Sequence, residues 1–388
     1  MEIVQVLNKK DEKLFMKVPL NLYNNDPQWI RPLDQDVEDV FDTKKNKMFR
    51  FGKIVRWILK DKEQKLIGRI AAFTNSKYKN KGDDFKVGGI GFFECINNQE
   101  AADLLFDNAK HWLLNENVEA MDGPINFGER DKWWGLLVEG FKESTYGMNY
   151  NPPYYKNLFE NYGFKVFYHQ FCFGLDPKAP VQNKLIERHR IIHETNEYSV
   201  KQLQKNNLEK YASDFTEVYN KAWAGHGGMK SIAKEQVLIM FKKMKMVMDP
   251  RTLWFAYHHQ RPVAIFINLP DLNQWFKHLN GKLNLFNKLI FLYLKKFKAN
   301  KKLTGMVFGV DPEFQAKGID AFLIVEASKM LLKDDMPYLD YEMQWIGDFN
   351  PKMINIAKKL GDTHVSRQLT TYRYLFDQSK PFKRHPIL

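Results

Sequence analysis

A turn that contains a single glycine is the part of this sequence whose residue types and spacing point most directly to a chemistry. Residues 315–320 read Gln-x-x-Gly-x-Asp, shortly after the apolar segment 306–310, and apolar residues at helical spacing follow over 319–332. Backbone N–H groups at a helix N-terminus lack intrahelical partners, and with the helix dipole they favour a phosphate. The spacing predicts that this turn binds a phosphorylated ligand. The competing interpretation is an ordinary strand–turn–helix connection without a ligand.

Two charged side chains in the turn act in opposite directions. Lys317 adds a positive charge that a phosphate can use. Asp320 would repel a diphosphate unless its carboxylate turns away or caps the helix. The structure around Asp320 therefore decides between the two interpretations.

The elements that must position this turn occur in two similar halves. Strands of the first half are predicted over 51–59, 65–74, 87–95 and 120–127. Strands of the second half are predicted over 200–203, 253–258, 263–269, 306–310 and 338–345. Each half closes with a glycine-containing helix and an aromatic strand, at 158–175 and 356–376. This order predicts an α+β fold with two tandem domains, residues 1–176 and 198–388, joined by a partly helical linker at 177–197.

Composition limits the class of protein without choosing a partner. The 388 residues are 44% hydrophobic and 14% aromatic, which is enough for two buried cores. A net charge of +13 permits CoA, nucleic acid, acidic lipid or an acidic substrate. The two cysteines, Cys95 and Cys172, lie among aromatic residues and are expected to be buried free thiols. No signal-peptide pattern or membrane-spanning run is visible, so we expect a cytoplasmic protein.

The turn resembles the acyl-CoA pyrophosphate loop of the GNAT superfamily, Gln/Arg-x-x-Gly-x-Gly/Ala, with Asp320 at the last small position. A second GNAT-like motif begins at Asn350 and continues through Ile356, Ala357 and Gly361. The whole chain also resembles an uncharacterised bacterial family of tandem GNAT-like proteins. The segments that carry this impression are 23–33, 68–72, 91–94, 123–127 and 150–155.

The resemblance implies that each domain is a mixed, mostly antiparallel twisted sheet flanked by helices. It implies acyl-CoA or acetyl-CoA as cosubstrate. No metal-ligand set is visible among the ten histidines and two cysteines, so no metal is expected. The first half lacks the phosphate turn and is expected to be degenerate. The implied cofactor-binding residues are Phe308, Gly309, Val310, Gln315, Ala316, Lys317, Gly318, Ile319, Asp320 and Asn350.

The proton chemistry departs from the family pattern. The tyrosine that usually protonates the leaving thiolate aligns with Ala357, and in the first half with Phe159, and neither can donate a proton. Glu342 is a candidate base acting through water, and Tyr341 and Tyr372 are candidate proton donors. The alternatives are that the acid is dispensable, or that the site binds without catalysis.

Two loops are predicted to shape the acceptor site. Asn126, Arg130 and Trp133 belong to a polar and aromatic loop that either covers a cleft between the halves or plugs the domain interface. Trp223 and His226 lie where the early helices of a GNAT domain shape the acceptor pocket.

The lysine-rich segment 285–298 carries a broad apolar face. Such a helix either packs on the sheet with a solvated lysine rim or lies on an anionic membrane. No nucleic-acid motif is present. The leading hypothesis is an N-acyltransferase that acts on the amine of a small molecule or amino acid. The alternatives are a non-catalytic CoA-binding protein and a membrane-surface acyltransferase with a lipid-like acceptor, and the chain is expected to be a monomer or homodimer.

Overall fold

One sheet of 14 strands runs through the computed structural model, which describes residues 1–223 and 231–388. The strands of the first half are β1 (Glu2–Gln5), β2 (Gly52–Lys60), β3 (Leu66–Asn75), β4 (Val87–Cys95), β5 (Ala120–Gly123), β6 (Leu136–Glu139) and β7 (Lys165–Leu175). Those of the second half are β8 (Tyr198–Gln202), β9 (Leu253–His258), β10 (Arg261–Pro270), β11 (Lys302–Val310), β12 (Asp340–Met343), β13 (Ile346–Gly347) and β14 (His364–Leu375).

Helices flank the sheet on both faces. Those of the first half and the connecting segment are α1 (Lys9–Leu22), α2 (Asp34–Phe41), α3 (Gln99–Asn115), α4 (Tyr155–Tyr162) and α5 (Asn183–Glu194). Those of the second half are α6 (Leu208–Trp223), α7 (Lys234–Met244), α8 (Asn273–Phe276), α9 (Leu285–Phe297), α10 (Ile319–Leu331) and α11 (Pro351–Lys359). The α+β class expected from the sequence is confirmed.

The last strand of each half completes the sheet of the other half. The order along the sheet is β1-β2-β3-β4-β5-β14-β7-β12-β11-β10-β9-β8. β14 therefore pairs with β5 of the first half, and β7 pairs with β12 of the second. Among these neighbours only β4–β5 and β11–β12 are parallel. Because β14 and β7 also pair with each other, the two halves share one continuous hydrogen-bonded sheet.

Separate apolar clusters anchor the helices to the sheet. α3 and α4 bury Leu105, Phe106 and Phe159 against the first half. In the second half, α10 packs on one face of the sheet and α6 with α7 on the other. Burial on both faces fixes the register of the central strands, because a shift by one residue would exchange the two faces.

The segment predicted as a linker contains a helix that is packed against the second half. α5 lies on α10, where Leu185 joins Ala321 and Val325 in one apolar cluster. His189 Nε2 lies 2.7 Å from Glu326 Oε1. This helix is thereby placed beside the turn at residues 315–320.

An insertion between β10 and β11 forms α8 and α9. Phe291 of α9 packs on Trp275 and Phe276 of α8 and, with them, contacts Leu33 of the first half. Within the described ranges, no helix is long and apolar enough to cross a bilayer.

Candidate functional site

β11 and β12 separate part of the way along their length. They pair in parallel from Lys302 opposite Asp340 to Gly305 opposite Met343. Beyond this point Met306 bulges, because Ile267 of β10 pairs with Val307 while the next residue pairs with Gly305. From Met306 to Val310, β10 is the one ladder partner among the described residues. The other edge of this stretch is open to an extended ligand.

The open edge leads into the turn before α10. Gly318 is the N-cap of α10 with φ +90°, and no side chain caps the helix within the described part of the chain. Ala316 also has a positive φ of 61°. Gln315 Nε2 donates to the carbonyl of Val310 at 3.2 Å, which ties the turn to the strand end. Uncapped N–H groups at a helix N-terminus are what an anion site requires. Gly318 and Ile319 are buried, while Gln315, Ala316 and Lys317 beside them are exposed.

The carboxylate of Asp320 is paired with an arginine of α5. Arg188 of α5 donates to both of its oxygens, with Nη2 at 2.8 Å from Oδ1 and Nη1 at 3.3 Å from Oδ2. The guanidinium neutralises the charge that would oppose a diphosphate. The sequence could not identify this partner, because Arg188 lies in the segment treated as a linker.

The equivalent place in the first half is closed by the chain itself. After β4 and β5 separate, the Ile125 N–H donates to the carbonyl of Ile90 at 2.7 Å. The Cys95 N–H donates to Tyr155 Oη at 2.8 Å, and Tyr154 Oη donates to the Cys95 carbonyl at 2.7 Å. The following helix is capped, since the Asn98 side chain accepts from Ala101 N. The strand edge and the helix N-terminus that are open in the second half are therefore satisfied here.

Glu342 lies in a buried ion-pair network, on the part of β12 that is still paired with β11. Its carboxylate contacts Arg367 Nε, and Lys302 Nζ donates to Oε2 at 2.6 Å. Ser366 Oγ donates to Oε1 at 3.2 Å. Burial opposes ionisation, but hydrogen bonding and charge from Arg367, and then from Lys302, lower the pKa of Glu342 to about 2. A carboxylate with this pKa and both oxygens occupied is a weak base.

The two candidate proton donors lie in different cores. Tyr341 Oη donates to Asn268 Oδ1 at 2.9 Å, and burial raises the Tyr341 pKa. Tyr372 packs beside Phe159 of the first half, and its Oη donates to Glu160 Oε1 at 2.8 Å. The structure therefore does not bring Tyr372 into the apolar cluster that contains Tyr341. Ala357, at the usual tyrosine position, is buried in α11.

Asn350 is a helix cap. Its side chain accepts from Met353 N at 3.2 Å, at the start of α11. The Asn350 side chain therefore stabilises the start of α11, whether or not it also contacts a cofactor.

The loop with Asn126, Arg130 and Trp133 joins the two halves. Arg130 Nη2 donates to Asn80 Oδ1 at 3.1 Å, and its carbonyl accepts from Trp345 Nε1 at 3.3 Å. Trp133 packs on Phe92 with ring centroids 5.5 Å apart. Asn126 is buried, and its Oδ1 has no partner among the described residues. These contacts favour the domain-interface interpretation over a mobile cover.

Trp223 covers the open strand on the side of α6. A Cβ added to Gly309 would lie 2.1 Å from its ring, so this position requires glycine. Tyr219 packs beside Trp223 with ring centroids 4.9 Å apart. His226, which the sequence placed in the acceptor pocket, lies outside the described residues.

Glu129 is a candidate that the sequence did not single out as a site residue. Burial and then the charge of Glu129 raise the pKa of Tyr219 on α6. Desolvation and then Asp131 raise the pKa of Glu129 itself. The sequence signal was present as a polar loop after a strand, but the burial that raises the pKa of Glu129 depends on tertiary structure.

Charged and aromatic side chains surround the outer side of the turn. Arg261 Nη2 lies 2.7 Å from both Asp311 Oδ2 and Glu313 Oε2. Phe314 packs on His258, and Glu197, His258 and His259 lie close enough together to share an ion. The sequence spacing did not reveal that Glu197 lies beside the two histidines.

A separate cavity lies in the first half, between α1, β4 and the loop at 144–151. Glu94 lines it and accepts from Tyr23 Oη at 2.6 Å and Tyr155 Oη at 2.9 Å. Arg69 Nη2 donates to the same carboxylate at 3.3 Å. This buried network holds α1 and α4 against β4.

Known proteins show two kinds of similarity to this chain. No family model matches the sequence. Over 377 residues it is 25% identical to a protein named bacterial ceramide synthase from Caulobacter vibrioides (strain NA1000 / CB15N), with 96% of each chain covered.

Many solved structures are similar to this chain, among them the following two. One is a tandem GNAT protein from the clavulanic acid biosynthesis pathway, with a TM-score of 0.53, 10% identity, and 98% of this chain and 99% of that chain covered. The other is the glucosamine N-acetyltransferase region of a fungal multi-domain GH3 β-N-acetylglucosaminidase, with a TM-score of 0.55 and 12% identity. That similarity covers 96% of this chain, which spans 38% of the fungal chain. The chain therefore has the fold of the GNAT superfamily, in two tandem domains.

Proposed function

We propose that this protein is an N-acyltransferase that transfers an acyl group from acyl-CoA to the amine of a lipid-like acceptor. The observation that carries the proposal is the open edge at Met306–Val310, which leads into the uncapped N-terminus of α10. An extended chain with amide groups can pair with such an edge, and a diphosphate suits the helix start.

The second half offers groups for each part of acyl-CoA. The backbone of Phe308, Gly309 and Val310 would hold the pantetheine arm. Residues 315–320 would surround the diphosphate, and exposed Lys317 adds a positive charge. Arg188 supports this role because it neutralises Asp320. The closed edge of the first half supports a single acyl-CoA site in the chain.

The choice of acceptor rests on the relative named bacterial ceramide synthase. A ceramide is the N-acyl derivative of a long-chain amino alcohol, so we place a long-chain amine on the acceptor side. A small amine or amino acid, and binding of CoA without catalysis, are the two alternatives.

The reaction needs one group to accept a proton. The amine nitrogen attacks the thioester carbonyl, the C–N bond forms, the C–S bond breaks, and the thiolate leaves. The nitrogen then loses a proton. Glu342 is poorly suited to accept it, since its pKa is about 2 and its oxygens are engaged. We propose Glu129 for this role, because it belongs to the loop at residues 126–133 that joins the two halves, and burial, followed by the charge of Asp131, raises its pKa.

Thiol release provides the test. The protein is incubated with a long-chain acyl-CoA and either dodecylamine or short amines such as ethanolamine, and free thiol is measured. We expect release that depends on dodecylamine. Thiol release with short amines alone would show that the acceptor is a small molecule and not lipid-like. Binding of acyl-CoA without release would leave a binding protein, and no binding would contradict the proposal altogether.

A further inference from the structure

α9 turns most of its large apolar side chains towards solvent. The exposed fractions are 78% for Leu285, 59% for Leu289, 63% for Tyr293 and 65% for Phe297. These residues are four apart, so they form one stripe along the helix. Phe286 is 69% exposed and widens the stripe. An apolar patch of this kind on a folded protein marks an interaction surface.

The opposite side of α9 fixes the helix to the protein. Phe291 is buried, with ring centroids 5.8 Å from Trp275 and 5.7 Å from Phe276. The Asn284 side chain caps the helix by accepting from Asn287 N at 2.9 Å. The sequence left two interpretations of this helix, packing against the protein and lying on a membrane. Packing against the protein accounts only for the inner face. The outer stripe has no covering element among the described residues.

Lysines surround this stripe, and their charge identifies the partner. Residues 272–310 contain eight lysines and no acidic residue. Lys288, Lys296 and Lys298 are exposed on α9 or at its end. Burial, and then the charges of Lys295 and Lys245, lower the pKa of Lys205. The lysines of this segment concentrate positive charge around α9, which favours an anionic surface.

We propose that α9 docks on an anionic lipid bilayer, with the stripe at Leu285, Leu289, Tyr293 and Phe297 among the acyl chains and the lysines at the headgroups. A fixed helix with an apolar outer stripe and a basic rim suits the boundary between headgroups and acyl chains. β11 begins at Lys302, shortly after α9 ends, so the docked helix belongs to the connection that leads directly into the open strand. If the proposed function holds, docking brings the acyltransferase to the membrane that contains its lipid-like acceptor.

Vesicle co-sedimentation of the full chain, without acyl-CoA or amine, tests the docking. We expect binding to mixed phosphatidylcholine–phosphatidylglycerol vesicles at low salt and much weaker binding to pure phosphatidylcholine. Phe286→Glu/Leu289→Glu should weaken binding at least about tenfold. The matched control is Leu7→Glu/Leu114→Glu, which changes two apolar residues of the first half that are 76% and 43% exposed. The control should bind as the unchanged protein does.

The charge is tested separately with Lys288→Gln/Lys296→Gln, which should weaken binding by about 30-fold at low salt. Equal loss in the apolar control, or no preference for phosphatidylglycerol, would overturn the proposal. So would sedimentation equilibrium that shows a dimer converted to a monomer by Phe286→Glu/Leu289→Glu, since a second copy would then cover the stripe. Because no substrate is present, vesicle binding that persists while thiol release fails contradicts the proposed function alone.

Discussion

At the scale of single residues, Gly318 has an unusual backbone conformation and also lies at the proposed diphosphate site. Its φ of +90° favours glycine, and asparagine and aspartate are the side chains that tolerate this region best. The space is sufficient, because an added Cβ would lie 3.4 Å from Ile192. A pair of variants can therefore separate charge from shape at this site.

We expect Gly318→Asp to weaken acyl-CoA binding by at least about tenfold more than Gly318→Asn. The two side chains have nearly the same size, but only aspartate places a negative charge at the start of the helix, where it repels the diphosphate. Isothermal titration calorimetry with the same acyl-CoA measures both. Equal affinities for the two variants would show that the diphosphate does not bind at the start of α10.

Glu129 is expected to affect turnover rather than binding. Glu129→Gln removes the proposed base and should lower kcat by about 100-fold or more, while acyl-CoA affinity stays unchanged. Glu139→Gln, which changes an exposed carboxylate on β6, is the control. Thiol-release kinetics and calorimetry on the same samples distinguish the two effects, and an unchanged kcat would remove Glu129 from the mechanism.

Glu342 makes a prediction about stability. Its pKa of about 2 lies below the usual 4.5, so its contribution is present above pH 4.5 and is lost as the pH falls towards 2. The size of the shift corresponds to about 3 kcal/mol for this buried group. Urea unfolding between pH 6 and pH 3 should become less pH-dependent in Glu342→Gln.

The control for that experiment is Glu63→Gln, which changes an exposed turn residue. The control should keep the pH dependence of the unchanged protein. A pH dependence in Glu342→Gln that matches the control would show that the network with Arg367 and Lys302 does not hold the carboxylate ionised.

At the scale of elements, α5 becomes part of the candidate site. Arg188 on α5 pairs with Asp320 on α10, which are 132 residues apart in sequence. Arg188→Ala should therefore lower acyl-CoA affinity by about fivefold or more, because the Asp320 carboxylate is left beside the diphosphate.

The double variant Arg188→Ala/Asp320→Ala should recover most of that affinity, since it removes the charge together with its partner. Calorimetry on the four members of this cycle gives the coupling between the two residues. No recovery in the double variant would mean that Arg188 acts on the ligand directly or through the packing of α5.

The elements also show which parts of the fold can be predicted from sequence. The strands at Val87–Cys95 and Leu253–His258 were predicted with the bounds that the structure has, because apolar patterning is a local signal. The Arg188–Asp320 and Glu342–Arg367 pairs could not be predicted, because each depends on strands and helices that meet only in the folded sheet. The contacts by which Tyr154 and Tyr155 close the strand edge of the first half could not be predicted from the sequence for the same reason.

At the scale of the whole molecule, the exchange of β7 and β14 makes the halves depend on each other. Local patterns predicted both strands, but strand neighbours that are far apart in sequence leave no signal in composition or periodicity. Residues 1–176 alone would lack β14 and leave β5 and β7 without this partner, with exposed edges and an incomplete core.

We therefore expect residues 1–176 expressed alone to aggregate or to lack native circular dichroism, and the full chain to unfold in a single calorimetric transition. Coexpression of residues 1–176 and 177–388 should restore folded protein. An isolated first half with a cooperative transition of its own would show that the exchanged strand is not required.

The measurement that tests the central claim most directly is hydrogen–deuterium exchange of the full chain with and without a long-chain acyl-CoA. The open edge and the helix start should be protected, so exchange should slow across residues 306–321. The closed counterpart, residues 90–101, should not change. Protection at 90–101, or unchanged exchange at 306–321 with saturating acyl-CoA, would contradict the placement of acyl-CoA in the second half.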